Sequence, residues 1–174
     1  MNAGNEIKAL VPDYAKDVRL NLDSTILRSS LPVVEALAAA YATRHARLVA
    51  LLRSADELSP EQAHGALTAA ALMGMNKAWY PFVEMTGDAE LKARPAQLRM
   101  QAYAAHGGVD KRLFELYALA ASIVGKCHFC VQSHYALLKE GGMTVDQLSD
   151  AGRIAAVIAA AANAIEVERE AIAA

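Results

Sequence analysis

The 174-residue chain contains only two cysteines, five prolines, one tryptophan and three phenylalanines, and its charges nearly cancel to a formal net charge of −2. Each scarcity excludes something. Two cysteines cannot build the multi-bridge framework that holds small exported domains together. Without a basic excess there is no electrostatic footprint for nucleic acid or an anionic membrane, so neither is expected as a partner. Met1 to Arg19 is broken by Glu6, Lys8, Asp13, Lys16 and Asp17, and so lacks the apolar centre of an export signal. The longest apolar run, Ile154 to Ile165, contains Asn163 and is too short and alanine-rich to be expected to span a bilayer. The expected compartment is the reducing cytoplasm, where a close cysteine pair is more often catalytic or metal-binding than a structural staple. Gly107-Gly108 and Gly141-Gly142 follow no strand, so no phosphate cradle is read. Haem and flavin have no specific support, and no bound cofactor is expected.

Strand-like alternation is also nearly absent. The composition is 55% hydrophobic, largely through alanine, and helix punctuation is sparse but well placed. Ser59-Pro60-Glu61-Gln62 combines an N-cap, a first-turn proline and a capping-box glutamine. The helix it opens runs to about Phe82, with Pro81 able to kink or end it. Asp110 caps a second long helix that stops near Gly125. A third begins at the cysteine pair and closes at Gly141-Gly142, and Thr144-Val145-Asp146-Gln147 opens a fourth towards Glu170. Shorter helices are expected over Tyr14 to Asn21, Pro32 to Thr43 and Ala46 to Ser54. The reading is a single all-α domain, residues 1–174, with neighbours packed antiparallel. The two capping boxes lie 85 residues apart, which suggests an internal helical repeat with halves of about 30–85 and 110–170. The last helix, small and apolar nearly all round, looks buried on several sides, either deep within the chain or in an oligomer.

Both cysteines lie in Cys127-His128-Phe129-Cys130-Val131-Gln132-Ser133-His134. On a helix, positions 127, 130 and 134 share one face. Cysteines three apart place their Cα atoms roughly 5 Å from one another, within reach of a disulfide. A thiol at a helix start is acidified by the helix dipole, and a nearby imidazole can take its proton. This reads as a dithiol/disulfide redox centre. If the chain folds back at Gly125-Lys126, position 115 comes opposite roughly 135 to 137, and Glu115 approaches His134 rather than Cys127. A continuous helix would instead leave Glu115 roughly 18 Å from Cys127. The hairpin yields the order Glu115, His134, Cys130, Cys127, in which the carboxylate orients the imidazole and the imidazole manages thiol protons, directly or through water. Cys127 is the choice for the thiol that meets a partner disulfide, with Cys130 the inner thiol. His128 points off the shared face. Met73, Met75, Trp79 and Tyr80 read as core at helical spacing, and His45, His64 and His106 stay unassigned. Zinc is disfavoured, because one helix offers three ligands where a structural site wants four.

Glu115 followed by eleven residues and Cys127-x-x-Cys130-x-x-x-His134 resembles the active-site signature of the alkylhydroperoxidase D (AhpD) proteins, in the carboxymuconolactone decarboxylase-like superfamily. Pro12-Asp13-Tyr14-Ala15-Lys16-Asp17, Ala71-Leu72-Met73-Gly74-Met75-Asn76 and Phe114-Glu115-Leu116 resemble AhpD sequences too. The resemblance implies an all-helical homotrimer with an internal repeat. It implies a disulfide reductase that regenerates an oxidised peroxiredoxin, with weak activity towards alkyl hydroperoxides. Electrons would come from dihydrolipoamide on a lipoyl-bearing dihydrolipoamide acyltransferase. Cys127 and Cys130 match the family's redox pair, and His134 and Glu115 its proton relay. One departure is plain: AhpD proteins often carry a histidine directly before the second cysteine, where this chain has Phe129, its own extra histidine standing at 128. The alternatives are a direct thiol peroxidase and a non-enzymatic helical oligomer whose cysteines sense oxidation.

Overall fold

A computed structural model describes residues 3–26, 33–54 and 58–173, and among them every regular element is helical. The order is α1 (Ala3–Leu10), α2 (Lys16–Ile26), α3 (Val33–Thr43), α4 (Ala46–Arg53), α5 (Pro60–Thr86), α6 (Ala89–Ala93), α7 (Gln101–Ala104), α8 (Lys111–Val124), α9 (His128–Glu140) and α10 (Val145–Ala173). The start expected for α3 at Pro32 lies outside the described residues. A short 3₁₀ turn at Asp13–Ala15 displaces the start of α2 to Lys16, and the helix continues past Asn21 to Ile26.

The caps formed as their chemistry dictates. Ser59 Oγ accepts from the Gln62 N–H while Gln62 Oε1 accepts from the Ser59 N–H, and Thr144 and Gln147 repeat the exchange before α10. Pro81 does not end α5, which runs on to Thr86 and is capped by Gly87 at φ 64°. A proline inside a helix removes one hydrogen bond and costs about 3 kcal/mol. Aromatic contacts on either side of it offset that loss: Trp79 with Phe82 at 5.8 Å, and Tyr80 stacked on Phe129 of α9 at 4.1 Å.

The core centres on α3, which packs against α5, α8 and α10. Ala36, Leu37, Ala38, Ala39 and Ala40 are all buried, so this helix is enclosed on every side. Alanine permits that, because a methyl side chain lets neighbouring backbones approach closely. The last helix is buried on several sides, as expected, and keeps one exposed stripe through Arg153, Ala156, Ala160 and Asn163. By length and composition Val145–Arg169 suffices to cross a membrane, with a mean hydropathy of 1.3; here its Ile154, Ala155, Ile158 and Ala161 are buried in the core instead. Within this apolar centre sits Glu35 of α3, fully buried, with no hydrogen-bond partner for either carboxyl oxygen among the described residues. A second, smaller cluster of Leu116, Leu119, Leu138, Met143, Leu148 and Ala151 clamps α9 onto α8 and α10. That clamp positions the site.

Candidate active site

The chain does fold back after α8. The Lys126 N–H bonds to the Ile123 carbonyl and the Cys127 N–H to the Ser122 carbonyl, a Schellman closure with Lys126 at φ 54°. A left-handed lysine costs about 1 kcal/mol, so the turn is held by its surroundings rather than by local preference. At the far end of α9 the same motif recurs with Gly142 at φ 89°, Met143 bonding back to Leu138. The two closures and the leucine clamp fix α9 antiparallel to α8.

Cys127 is the N-cap of α9, its Sγ accepting from the Cys130 N–H at 3.3 Å, and it is joined to Cys130 in a disulfide with Cα atoms 5.3 Å apart. Both residues are buried, at 1% and 2% exposure. Leu138, one turn beyond His134, seats among Leu116 and Leu119 and so carries the imidazole to Glu115. His134 Nδ1 meets Glu115 Oε2 at 2.6 Å, and both side chains are buried. The Tyr103 hydroxyl of α7 donates to the other carboxylate oxygen, Oε1. Burial acts to raise the Glu115 pKa, but hydrogen bonds from His134 and Tyr103, and the charges of His134 and Lys111, outweigh it and hold the carboxyl below its usual value. Burial and the neighbouring carboxylate push the Tyr103 phenol upward, so it stays a donor. The ionised carboxylate fixes the imidazole tautomer, with the proton of Nδ1 directed at Glu115.

The four residues picked from sequence are therefore gathered between two helices, with Glu115 against His134 as the hairpin reading required. Among the described residues, no hydrogen bond joins His134 to either sulfur; its Nε2 lies 3.2 Å from the Met73 Sδ of α5. Cys127 Sγ lies 3.9 Å from the Asn76 carbonyl, one turn along the same helix. Met73 belongs to the core as expected, whereas Trp79 and Tyr80 are only half-buried. They line a groove of about 790 Å³, with Lys92, Arg94 and Phe129, along the outer face of the first turn of α9. His128 turns away from the pair, largely exposed and 3.4 Å from Glu84. Sequence reasoning missed Tyr103. It lies in a four-residue helix and reaches Glu115 only through tertiary packing, and no local spacing signals that.

Residues 89–173, from α6 onward, match the carboxymuconolactone decarboxylase family. That span contains Tyr103, Glu115, both cysteines and His134. Over nearly its full length the chain resembles alkyl hydroperoxide reductase AhpD proteins. It is 41% identical to that of Rhodospirillum centenum over 93% of this chain and 90% of the relative. The one from a Bradyrhizobium species is 42% identical over 92% of each. That of Streptomyces avermitilis is 41% identical over 94% and 96%. With the site geometry and these relatives in agreement, the chain belongs to the alkylhydroperoxidase D (AhpD) family, within the carboxymuconolactone decarboxylase-like superfamily.

Proposed function

We propose that this protein acts in peroxide defence as a thiol–disulfide oxidoreductase, reducing an oxidised peroxiredoxin with electrons from dihydrolipoyl groups carried by a dihydrolipoamide acyltransferase. The observation that carries the reading is a disulfide-forming pair at a helix start with a buried Glu115–His134 dyad one to two turns behind it. The names of the relatives support peroxide chemistry. In the working cycle reduced Cys127 attacks the peroxiredoxin disulfide, and Cys130 resolves the mixed disulfide, leaving Cys127–Cys130 oxidised. Dihydrolipoamide then restores both thiols. His134, Glu115 and Tyr103 supply, hold and orient the protons. No bound cofactor is needed, because the electron carrier arrives on its own protein. The family resemblance supports a homotrimer as the working form, with weak direct activity towards alkyl hydroperoxides.

The test is NADH consumption in a mixture of this protein, lipoamide, lipoamide dehydrogenase, a peroxiredoxin and an alkyl hydroperoxide, leaving out one component at a time. Turnover that needs the protein, lipoamide and peroxiredoxin together is expected. Turnover without peroxiredoxin would make the protein a direct thiol peroxidase. Reversible oxidation of the pair without any turnover would make it a sensor. In the same assay Glu115→Gln and His134→Gln are each expected to lower kcat by roughly 10²-fold, the usual contribution of a positioned acid–base group. Rates within a factor of two of the parent would remove both residues from the mechanism.

A further inference from the structure

We infer that Met73 is a positioning residue for the acid proton of the site: its thioether holds the Nε2–H of His134 while the pair is oxidised and yields it to Cys130 when the disulfide opens. The inference rests on the dithiol–disulfide exchange proposed above. Nδ1 is committed to Glu115, so Nε2 is the nitrogen left for chemistry. Among the described residues it hydrogen-bonds to no cysteine sulfur, and it meets the Met73 Sδ, 3.2 Å away, in a side chain only 1% exposed. A bare Nε2 would set its lone pair against those of sulfur at that distance, whereas a protonated Nε2 donates to them. The Asn76 Nδ2 approaches the same sulfur at 3.9 Å and helps fix its position. A thioether is a weak, uncharged acceptor, so it holds a proton donor in place without competing for the proton.

Electrons and protons balance across the exchange. A dithiol donor, as thiolate, attacks Cys127 Sγ; the Cys127–Cys130 bond breaks, and its electron pair goes to Cys130 Sγ. Cys130 stands one turn before His134 on α9, and its thiolate takes the Nε2 proton as the imidazole leaves Met73. The donor's second thiol gives its proton to His134 Nε2 and attacks the donor sulfur of the mixed disulfide; that bond breaks, its electron pair goes to Cys127 Sγ, and the Cys127 thiolate takes from solvent the proton that the first donor thiol released. The donor ends as a disulfide and the protein pair as two thiols.

The experiment follows reduction of the oxidised protein by dithiothreitol alone, from pH 6 to 9, with thiols counted by alkylation and mass spectrometry. Met73→Leu conserves volume and is expected to fold. It should slow reduction about fivefold, because the Nε2–H then has no acceptor to hold it in place. Met73→Gln, whose amide oxygen accepts a hydrogen bond, should recover to within about twofold of the parent. A Met73→Leu rate within twofold of the parent at every pH would overturn the inference, as would equal slowing in both variants across the range, the mark of packing alone. A parent disulfide that dithiothreitol does not reduce would overturn the exchange reading and this inference with it.

Discussion

Cys127→Ser and Cys130→Ser are each expected to bring peroxiredoxin-coupled turnover down to background, a loss on the order of 10³-fold or more. The reason is stoichiometric: the cycle stores two electrons in one S–S bond, and a hydroxyl cannot take part. The two variants should nevertheless fail differently. Cys130→Ser keeps the attacking thiol and loses the resolving one, so a mixed disulfide with the peroxiredoxin should accumulate on Cys127 and appear on a non-reducing gel. Cys127→Ser should trap none. Both sites are buried, and burying a hydroxyl in place of a thiol costs about 1–3 kcal/mol, so thermal melts should accompany the rates. More than a tenth of parental activity in either folded variant would defeat the scheme, and trapping through Cys130 instead would reverse the two roles.

Folding stability is expected to fall as pH rises from about 5 to 8, and Glu35→Gln should remove most of that fall. Burial, reinforced by the charge of Asp150, pushes the Glu35 carboxyl up to about 8 in the folded protein, from an ordinary value of 4.5. Below 4.5 the group is protonated in both states and pH has no effect through it. Between 4.5 and 8 the unfolded chain has released the proton while the folded chain keeps it, so each pH unit costs about 1.4 kcal/mol. Above 8 both states are ionised and the loss is complete, on the order of 5 kcal/mol. Glutamine carries no titrating proton and flattens the curve, though its buried amide lowers the acid plateau by about 1–3 kcal/mol. Glu115 acts at the opposite end: its folded pKa is depressed, so its contribution is present at neutral pH and is lost as pH falls through the acidic range. Urea unfolding at pH 3, 5, 7 and 9 checks both directions, and a parent equally stable at pH 5 and 9 would refute the assignment to Glu35.

The site was more legible in the sequence than the scaffold around it. Glu115 and His134 could be paired from spacing alone because they lie at near-equal distances from a turn, and a hairpin turns equal spacing into proximity. The cysteine pair was legible for a still more local reason, one helical turn. Tyr103 and Met73 reach the same dyad from α7 and α5, and nothing in their own neighbourhoods announces it. The centre of the scaffold was not legible: α3 is enclosed all round and alanine-rich, so it has no amphipathic period to mark it as the core helix. At Pro81 local propensity favoured a break, and packing of Trp79, Tyr80 and Phe82 overrode it.

The position of Cys127 has an electrochemical consequence. Its sulfur caps a 13-residue helix and faces the Cys130 amide, so a thiolate formed there sits at the positive end of the helix dipole. Such a terminus stabilises an anion by about 0.3–2 kcal/mol. For a two-electron couple that amounts to a rise in reduction potential on the order of 10–40 mV. The helix start therefore acts as a fixed bias that makes this disulfide a readier electron acceptor than the same two sulfurs would be in an unstructured loop. Loading from a dithiol donor is favoured, and the passing of electrons onward to an acceptor disulfide is the half of the cycle that works against the gradient.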